Sequence, residues 1–220
     1  MILKAENIQK TYERAQNNIC GLSDVSISIS TAEYHCIFGT SGSGKSTLLN
    51  ILSGMLKPSS GKVYIDNLDL YLEKEVNRTK IRISTVGYIM QGASLLSNLS
   101  VYDNIVFPLE IARRIVDYKL VDDIINKLEL TKFVDAYPKE ISGGEYRRVT
   151  VARTIVTDPQ IIIADEPTSN LDEKNAEIIR GIFEDLYLEG KGILVATHDM
   201  KFITKHHRIH NIENGKFIEQ

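Results

Sequence analysis

The run Gly39-Thr40-Ser41-Gly42-Ser43-Gly44-Lys45-Ser46-Thr47 has the residue types and spacing of a phosphate-binding loop, G-x-x-x-x-G-K-[S/T]. Glycines let the backbone turn sharply and bring several N–H groups onto one anion. Lys45 can reach the β- and γ-phosphates of a nucleotide, and Ser46 offers a hydroxyl to Mg²⁺. The surroundings fit. Tyr34 to Phe38 is a short β-like run entering the loop, and Leu48 to Leu52 begins an apolar helix whose N-terminal dipole favours phosphate. A glycine-rich linker would not place Lys-Ser-Thr at the start of such a helix directly after a strand. The chain is therefore expected to bind a nucleoside triphosphate.

A second group of residues could act on that nucleotide. Ile161-Ile162-Ile163-Ala164-Asp165-Glu166 puts two carboxylates at the end of an apolar strand. A phosphate-loop site needs an acid there to hold Mg²⁺ through its water shell, and Asp165 is in that position. Glu166, one residue on, points elsewhere and could accept a hydrogen bond from an attacking water. His198 follows the strand that ends in Thr197, where α/β proteins bind ligands. A lone histidine is more often a surface or satisfied core residue, and His206, His207 and His210 read that way. Gln91 also ends a strand. Its amide could ligate Mg²⁺ or orient water, and on spacing alone it could equally be a plain strand terminus.

The elements that must position these residues can be read from periodicity. Residues 2–8 and 25–29 read as strands, and Val25 to Ser30 alternates strictly, as a half-buried antiparallel strand does. A strand at 62–66, a polar helix at 73–82 and a buried strand at 86–90 follow. Residues 102–114 look helical, though Pro108 must kink or end that helix. Asp117 to Leu130 carries Leu120, Val121, Ile124, Ile125 and Leu128 on one face. The sheet pattern returns at 161–164, followed by a helix at 173–188 and a second central strand at 193–196. Glu213-Asn214-Gly215 between 209–212 and 216–218 signals a hairpin. The expected fold is α/β: a P-loop core on a mostly parallel sheet, an N-terminal antiparallel β portion, and an all-helical lobe inserted at about 92–155 in one domain, 1–220.

Composition narrows the function. At 220 residues with 43% hydrophobic content, one domain with an inserted lobe can bury a sizeable core. A net charge of −3 gives no support for a nucleic-acid surface. Cys20 and Cys36 have no metal spacing and fit a reducing compartment, with Cys36 a small core residue. Lys4 and Glu6 interrupt any signal-peptide core, and no run approaches ~18 apolar residues. Any membrane part is expected to come from another chain.

Ile141-Ser142-Gly143-Gly144-Glu145 completes the set, and with it the chain resembles the ATP-binding-cassette (ABC) ATPases over essentially its whole length. The motifs fall in that family's order: phosphate loop, Gln91, the Ser142–Gly144 signature, Asp165-Glu166, the Ser169–Asp172 loop, and His198. Tyr12 lies where the family keeps an aromatic residue that stacks on adenine. Ser142, Gly143 and Gly144 precede a helix (Glu145 to Val156), so they form a second helix-N-terminus anion site. The resemblance implies that the signature of one copy closes on the ATP held by the phosphate loop of another, burying two ATPs. It implies hydrolysis of ATP with Mg²⁺, an integral membrane permease subunit as partner, and work at the cytoplasmic face of the membrane. Softer features, among them Phe107-Pro108-Leu109, resemble the branch for lipoprotein release, macrolide or antimicrobial-peptide export, and cell division. Departures from that branch occur at Ala32, Thr40, Ser169 and the run Glu145-Tyr146-Arg147-Arg148, where glutamines are frequent.

Two rival readings have discriminating features. An ABC-type ATPase acting on DNA or ribosomes would carry a long coiled coil, or two cassettes with a basic linker, and the sequence has neither. A nucleotide switch without turnover would have no use for Glu166.

Overall fold

Residues 1–13, 18–92, 94–203 and 207–218 are described by the computed structural model. Strands β1 (Ile2–Tyr12) and β2 (Ile19–Ser30) pair antiparallel, with Leu3 opposite Ile29 and Ala5 opposite Ile27. The alternation read in the sequence holds: Val25, Ile27 and Ile29 are buried while Ser26 and Ser28 are exposed. β3 (Tyr34–Phe38) then leads through the phosphate loop into α1 (Lys45–Leu52). β4 (Ser60–Ile65) and the short β5 (Leu68–Asp69) join β1 and β2 in a four-stranded sheet ordered β2-β1-β4-β5.

After α2 (Glu75–Ser84) comes β6 (Val86–Ile89), then a stretch without strands: α3 (Val101–Ile111), α4 (Tyr118–Lys127) and α5 (Gly143–Ile155). Pro108 lies inside α3, which continues for three residues and stops at Ile111, short of the Arg114 expected from the sequence. The start of α3 is fixed by a capping box between Ser100 and Asp103. Finally β7 (Ile161–Asp165), α6 (Glu173–Leu188), β8 (Gly192–Ala196), β9 (Arg208–Glu213) and β10 (Lys216–Ile218) complete a six-stranded sheet, ordered β10-β9-β3-β8-β7-β6. Its strands β9, β3, β8, β7 and β6 are parallel, and β10 returns antiparallel on β9. Asn214 and Gly215 both take positive φ in that hairpin, as its two-residue turn requires.

Two cores explain why the central strands read as unbroken apolar runs. Ile161 and Ile163 of β7 face one core, with Leu48, Leu49, Ile51 and Leu52 of α1 and with Leu3, Ile29 and Val63 of the antiparallel sheet. Ile162 and Ala164 face the other, with Val149 and Ala152 of α5, Ile179 and Phe183 of α6, and residues of α3 and α4. Helix α1 is thus sandwiched between the two sheets, which holds its N-terminus at the carboxyl edge of the parallel strands. Cys36 is fully buried in the second core, and burial pushes its thiol up to about 12. His207 is stacked on Tyr34, and His210 is hydrogen-bonded to His35 at 2.9 Å, so both are satisfied interior side chains. His206 lies outside the described residues. Among the described residues no helix is long and apolar enough to cross a membrane.

Candidate nucleotide-binding site

Gly44 caps α1 with φ 110°, a conformation open to glycine at no steric cost. It packs on the main chain of Gly21, and no side chain caps the helix. The first-turn N–H groups are therefore left for an anion, and the helix dipole adds to their pull. Lys45 is mostly buried, and its Nζ donates to the carbonyls of Gly39 (2.6 Å) and Thr40 (3.1 Å). The loop is braced from behind by the β9–β10 turn, where Gly215 N–H donates to Ser43 O at 2.9 Å.

A cavity of about 560 Å³ opens over this loop. Into it the structure brings Tyr12, Gly39 to Gly42, Gly44 to Thr47, Gln91, Asp165, Glu166 and His198, from five separate segments. Ser43 lies just behind, buried, with an Oγ that has no hydrogen-bond partner among the described residues. The Tyr12 hydroxyl meets Thr47 Oγ1 at 3.1 Å, and its ring lies over Gly21, where any side chain would collide with it.

The two carboxylates differ in environment. Asp165 is buried, and its Oδ1 has no hydrogen-bond partner among the described residues. Burial raises its carboxyl above the usual range and the charge of Glu166 adds to this, against the Ser46 hydroxyl and the Lys45 ammonium, which lower it. Glu166 faces the other way along the cavity: its Oε2 lies 2.8 Å from His198 Nδ1 and 3.5 Å from Thr197 Oγ1. The His198 ring is otherwise exposed. The main chain of Glu166 sits at φ 47°, a left-handed conformation uncommon for a non-glycine residue.

Ser142, Gly143, Gly144, Glu145 and Asp172 do not reach this cavity. Helix α5 begins at Gly143 with Ser142 as its N-cap, two residues before the expected start at Glu145, so Gly143 and Gly144 are already helical. A capping box closes it: Ser142 Oγ accepts from Glu145 N–H at 3.3 Å, and Glu145 Oε2 accepts from Ser142 N–H at 2.6 Å. A Cβ on Gly144 would run into the Asn175 side chain, whereas one on Gly143 would meet nothing within 4 Å. Asp172 caps α6, accepting from Asn175 N–H (2.8 Å) and Nδ2 (2.7 Å), and so supports the signature from below.

Sequence reasoning passed over Cys20, which lines the cavity from β2, and gave Ser169, which lines it from the loop after β7, no place at the nucleotide. Arg147, noted only as a departure from a glutamine-rich run, donates to the main chain of four residues around Asp165 and Gln91.

Comparisons with known proteins agree with this geometry. A profile for the ABC transporter family matches residues 22–169. The chain is 36% identical to the lipoprotein-releasing system ATP-binding protein LolD of Buchnera aphidicola, over 99% of this chain and 96% of that protein. It is 33% identical to the macrolide export ATP-binding/permease protein MacB of Chlorobaculum tepidum, matching 34% of that longer protein. The solved dimeric structure of MJ0796, a bacterial ABC transporter cassette, superposes with a TM-score of 0.92 at 34% identity, over 99% of this chain and 97% of that one. A second dimeric structure of MJ0796, in a post-hydrolysis state bound to ADP and Pi, matches equally well. With the phosphate loop, both carboxylates and the histidine gathered on one cavity, and with two thirds of its length matched by the family profile, the chain belongs to the ABC transporter family as an ATP-hydrolysing cassette.

Proposed function

We propose that the chain is a single cassette, 1–220 with a helical lobe at 92–155, that closes with a second copy over two ATP molecules and drives a separate membrane permease from the cytoplasmic face of the membrane. The observation that carries this reading is the split between two helix N-termini. That of α1 is uncapped and opens on the cavity, while that of α5, with Gly143 set against open space, lies outside it. One chain thus offers two anion sites that it cannot bring to the same phosphate.

Each residue then has a task. Tyr12 stacks on adenine; the N–H groups of 39–45 and the Lys45 ammonium hold the phosphates. Ser46, Gln91 and Asp165 supply only oxygen donors, and the unpartnered Oδ1 of Asp165 is the kind of buried acceptor a hard cation satisfies, so this set suits Mg²⁺. Among the described residues no three acidic, histidine or cysteine side chains converge as a metal cage, which fits an ion completed by phosphate oxygens and water. Bound there, Mg²⁺ would neutralise charge on the β- and γ-phosphates. Glu166 accepts a hydrogen bond from the attacking water and polarises it. His198, held at 2.8 Å from Glu166, steadies the γ-phosphate. Ser142 to Glu145 and Asp172 act on the partner copy's nucleotide.

The permease contact falls on the helical lobe. A cleft of about 210 Å³ between α2–β6 and α3–α5, lined by Arg82, Met90, Pro108 and Arg153, suits a short helix from the membrane subunit. It ends on the residue before Gln91, so docking there reaches the nucleotide site directly.

Glu166→Gln tests the core of the reading. Phosphate release should fall at least about 100-fold while ATP binding persists, and light scattering should show an ATP-dependent dimer. Normal hydrolysis by this variant would refute the role of Glu166. Stimulation of hydrolysis by DNA or ribosomes, without a membrane protein, would favour the rival reading.

A further inference from the structure

Arg147 stands in the second turn of α5, five positions beyond Ser142. Its guanidinium spends four hydrogen bonds on main-chain carbonyls from two different loops. Nε donates to Pro167 O at 2.9 Å, Nη1 to Met90 O at 2.9 Å, and Nη2 to Asp165 O at 3.1 Å and Glu166 O at 3.0 Å. The fixed planar fork of an arginine makes such a set possible, and an ammonium cannot reproduce it.

The acceptors are the residues whose main chains aim the reacting groups. Met90 immediately precedes Gln91. Asp165, Glu166 and Pro167 form the turn that carries both carboxylates. Glu166 is the strained member at φ 47°, and such a conformation persists only where its surroundings hold it. Its carbonyl takes Arg147 Nη2, Ser169 Oγ (3.0 Å) and Ser169 N–H (3.2 Å), and its N–H donates to Ala196 O at 2.8 Å. Helix α5 grips the segment after Gln91 as well: Leu95 N–H donates to Tyr146 Oη at 2.5 Å, and Arg153 Nη1 donates to Ser94 O at 3.1 Å.

We infer that Arg147 is a positioning residue: it links the helix that begins at the signature to the main chain of Glu166 and of Met90-Gln91, so that the partner's nucleotide, on meeting Ser142, sets the aim of the general base in the chain that contributes the signature. The inference rests on the role given above to Glu166. A helix moves as one body, so a shift at Ser142 is carried to all four carbonyls at once. Lys45, Ser46 and the phosphate loop are not among the residues Arg147 touches, so affinity for ATP measured without Mg²⁺ is independent of it.

Arg147→Lys keeps the charge and removes the fork. We expect kcat to fall about 10- to 100-fold, as for other small misplacements of a reacting group, with ATP affinity measured without Mg²⁺ within about twofold of the parent. Amide exchange at 165–170 should rise in the nucleotide-free chain while the thermal midpoint stays close to the parent's. Arg147→Gln, whose amide restores part of the donor set, should recover some of the rate lost in Arg147→Ala. In a Glu166→Gln background, Arg147→Lys should leave the residual rate unchanged, since it acts through Glu166. The inference is overturned by a kcat within about twofold of the parent, by an equal loss of ATP affinity, by additivity in the double variant, or by loss of fold in all three variants. If Glu166→Gln itself hydrolyses ATP normally, the role of Glu166 fails. Exchange at 165–170 in Arg147→Lys still decides whether Arg147 holds that turn.

Discussion

The N-termini of α1 and α5, both assigned to phosphate in the proposed function, are built in opposite ways. α1 has no side-chain cap, follows a left-handed glycine, and is buried from behind by two sheets, so its N–H groups have only the cavity to face. α5 is closed by its own Ser142–Glu145 capping box and stands on the outside of the molecule. The box engages the N–H groups of Ser142 and Glu145 and leaves those of Gly143 and Gly144 between them. The first site is complete enough to capture a nucleotide alone. The second is closed on itself by the box, and in the proposed dimer it adds its contact only when a partner arrives; a signature that bound phosphate strongly would oppose release after hydrolysis.

This comparison can be broken most directly by disabling each terminus in turn. Lys45→Ala should weaken ATP binding to the single chain by about 10- to 100-fold, the worth of hydrogen bonds to a charged group. Ser142→Arg should leave that affinity within about twofold yet abolish the ATP-dependent dimer seen by light scattering. If Ser142→Arg weakens binding to the single chain as well, the termini are not separate halves.

A smaller effect separates the two signature glycines. Gly143→Ala should raise the thermal midpoint slightly, because alanine is favoured over glycine in a helix by about 0.5–1 kcal/mol and nothing obstructs the Cβ. It should nevertheless slow phosphate release. Gly144→Ala should lower the midpoint, since its Cβ displaces Asn175 and loosens the Asp172 cap, an interaction of about 1 kcal/mol. Equal behaviour of the two in thermal melts would remove the argument that Gly143 is kept free for a partner.

The smallest effect belongs to Asp165. Burial raises its carboxyl, so the folded chain holds that proton more tightly than the unfolded one. The associated cost to stability is absent in acid, where the group is neutral in both states, and grows as pH rises through the raised value. Asp165→Asn should therefore raise the nucleotide-free thermal midpoint by a few degrees at neutral pH, and the gap should close on acidification. It should also remove any stabilisation by Mg²⁺ with ATP.

Much of this was legible because the chemistry-bearing residues sit at ends of strongly patterned elements. The strand at Tyr34–Phe38 and the helix at Glu173–Leu188 are found with the boundaries read from periodicity, since both faces of one and one face of the other are buried. The gathering of Gln91, Asp165, Glu166 and His198 on one cavity follows from three of those strand ends lying side by side in a parallel sheet. Arg147 could not be read this way. Its partners are carbonyl oxygens, which every residue possesses, so no side-chain pattern marks them. Helix α3 also departs from the expected 102–114: it runs three residues past Pro108, since a proline in the eighth position removes one hydrogen bond while Val106 and Leu109 remain buried on the core side, and it stops at Ile111.

The brace behind the phosphate loop has a consequence for how the protein is made. Ser43 is tied to Gly215, and Ile37 of the strand entering the loop pairs with Ala196 on one side and His210 on the other. These contacts join residues about 170 positions apart. At synthesis rates of about 5–20 residues per second, the loop emerges roughly 10–30 s before its support. During that interval a nascent chain carries the full nucleotide motif on an unpaired strand. The loop therefore gains its brace only after the β9–β10 hairpin has been made, so the order of synthesis separates the motif from its support.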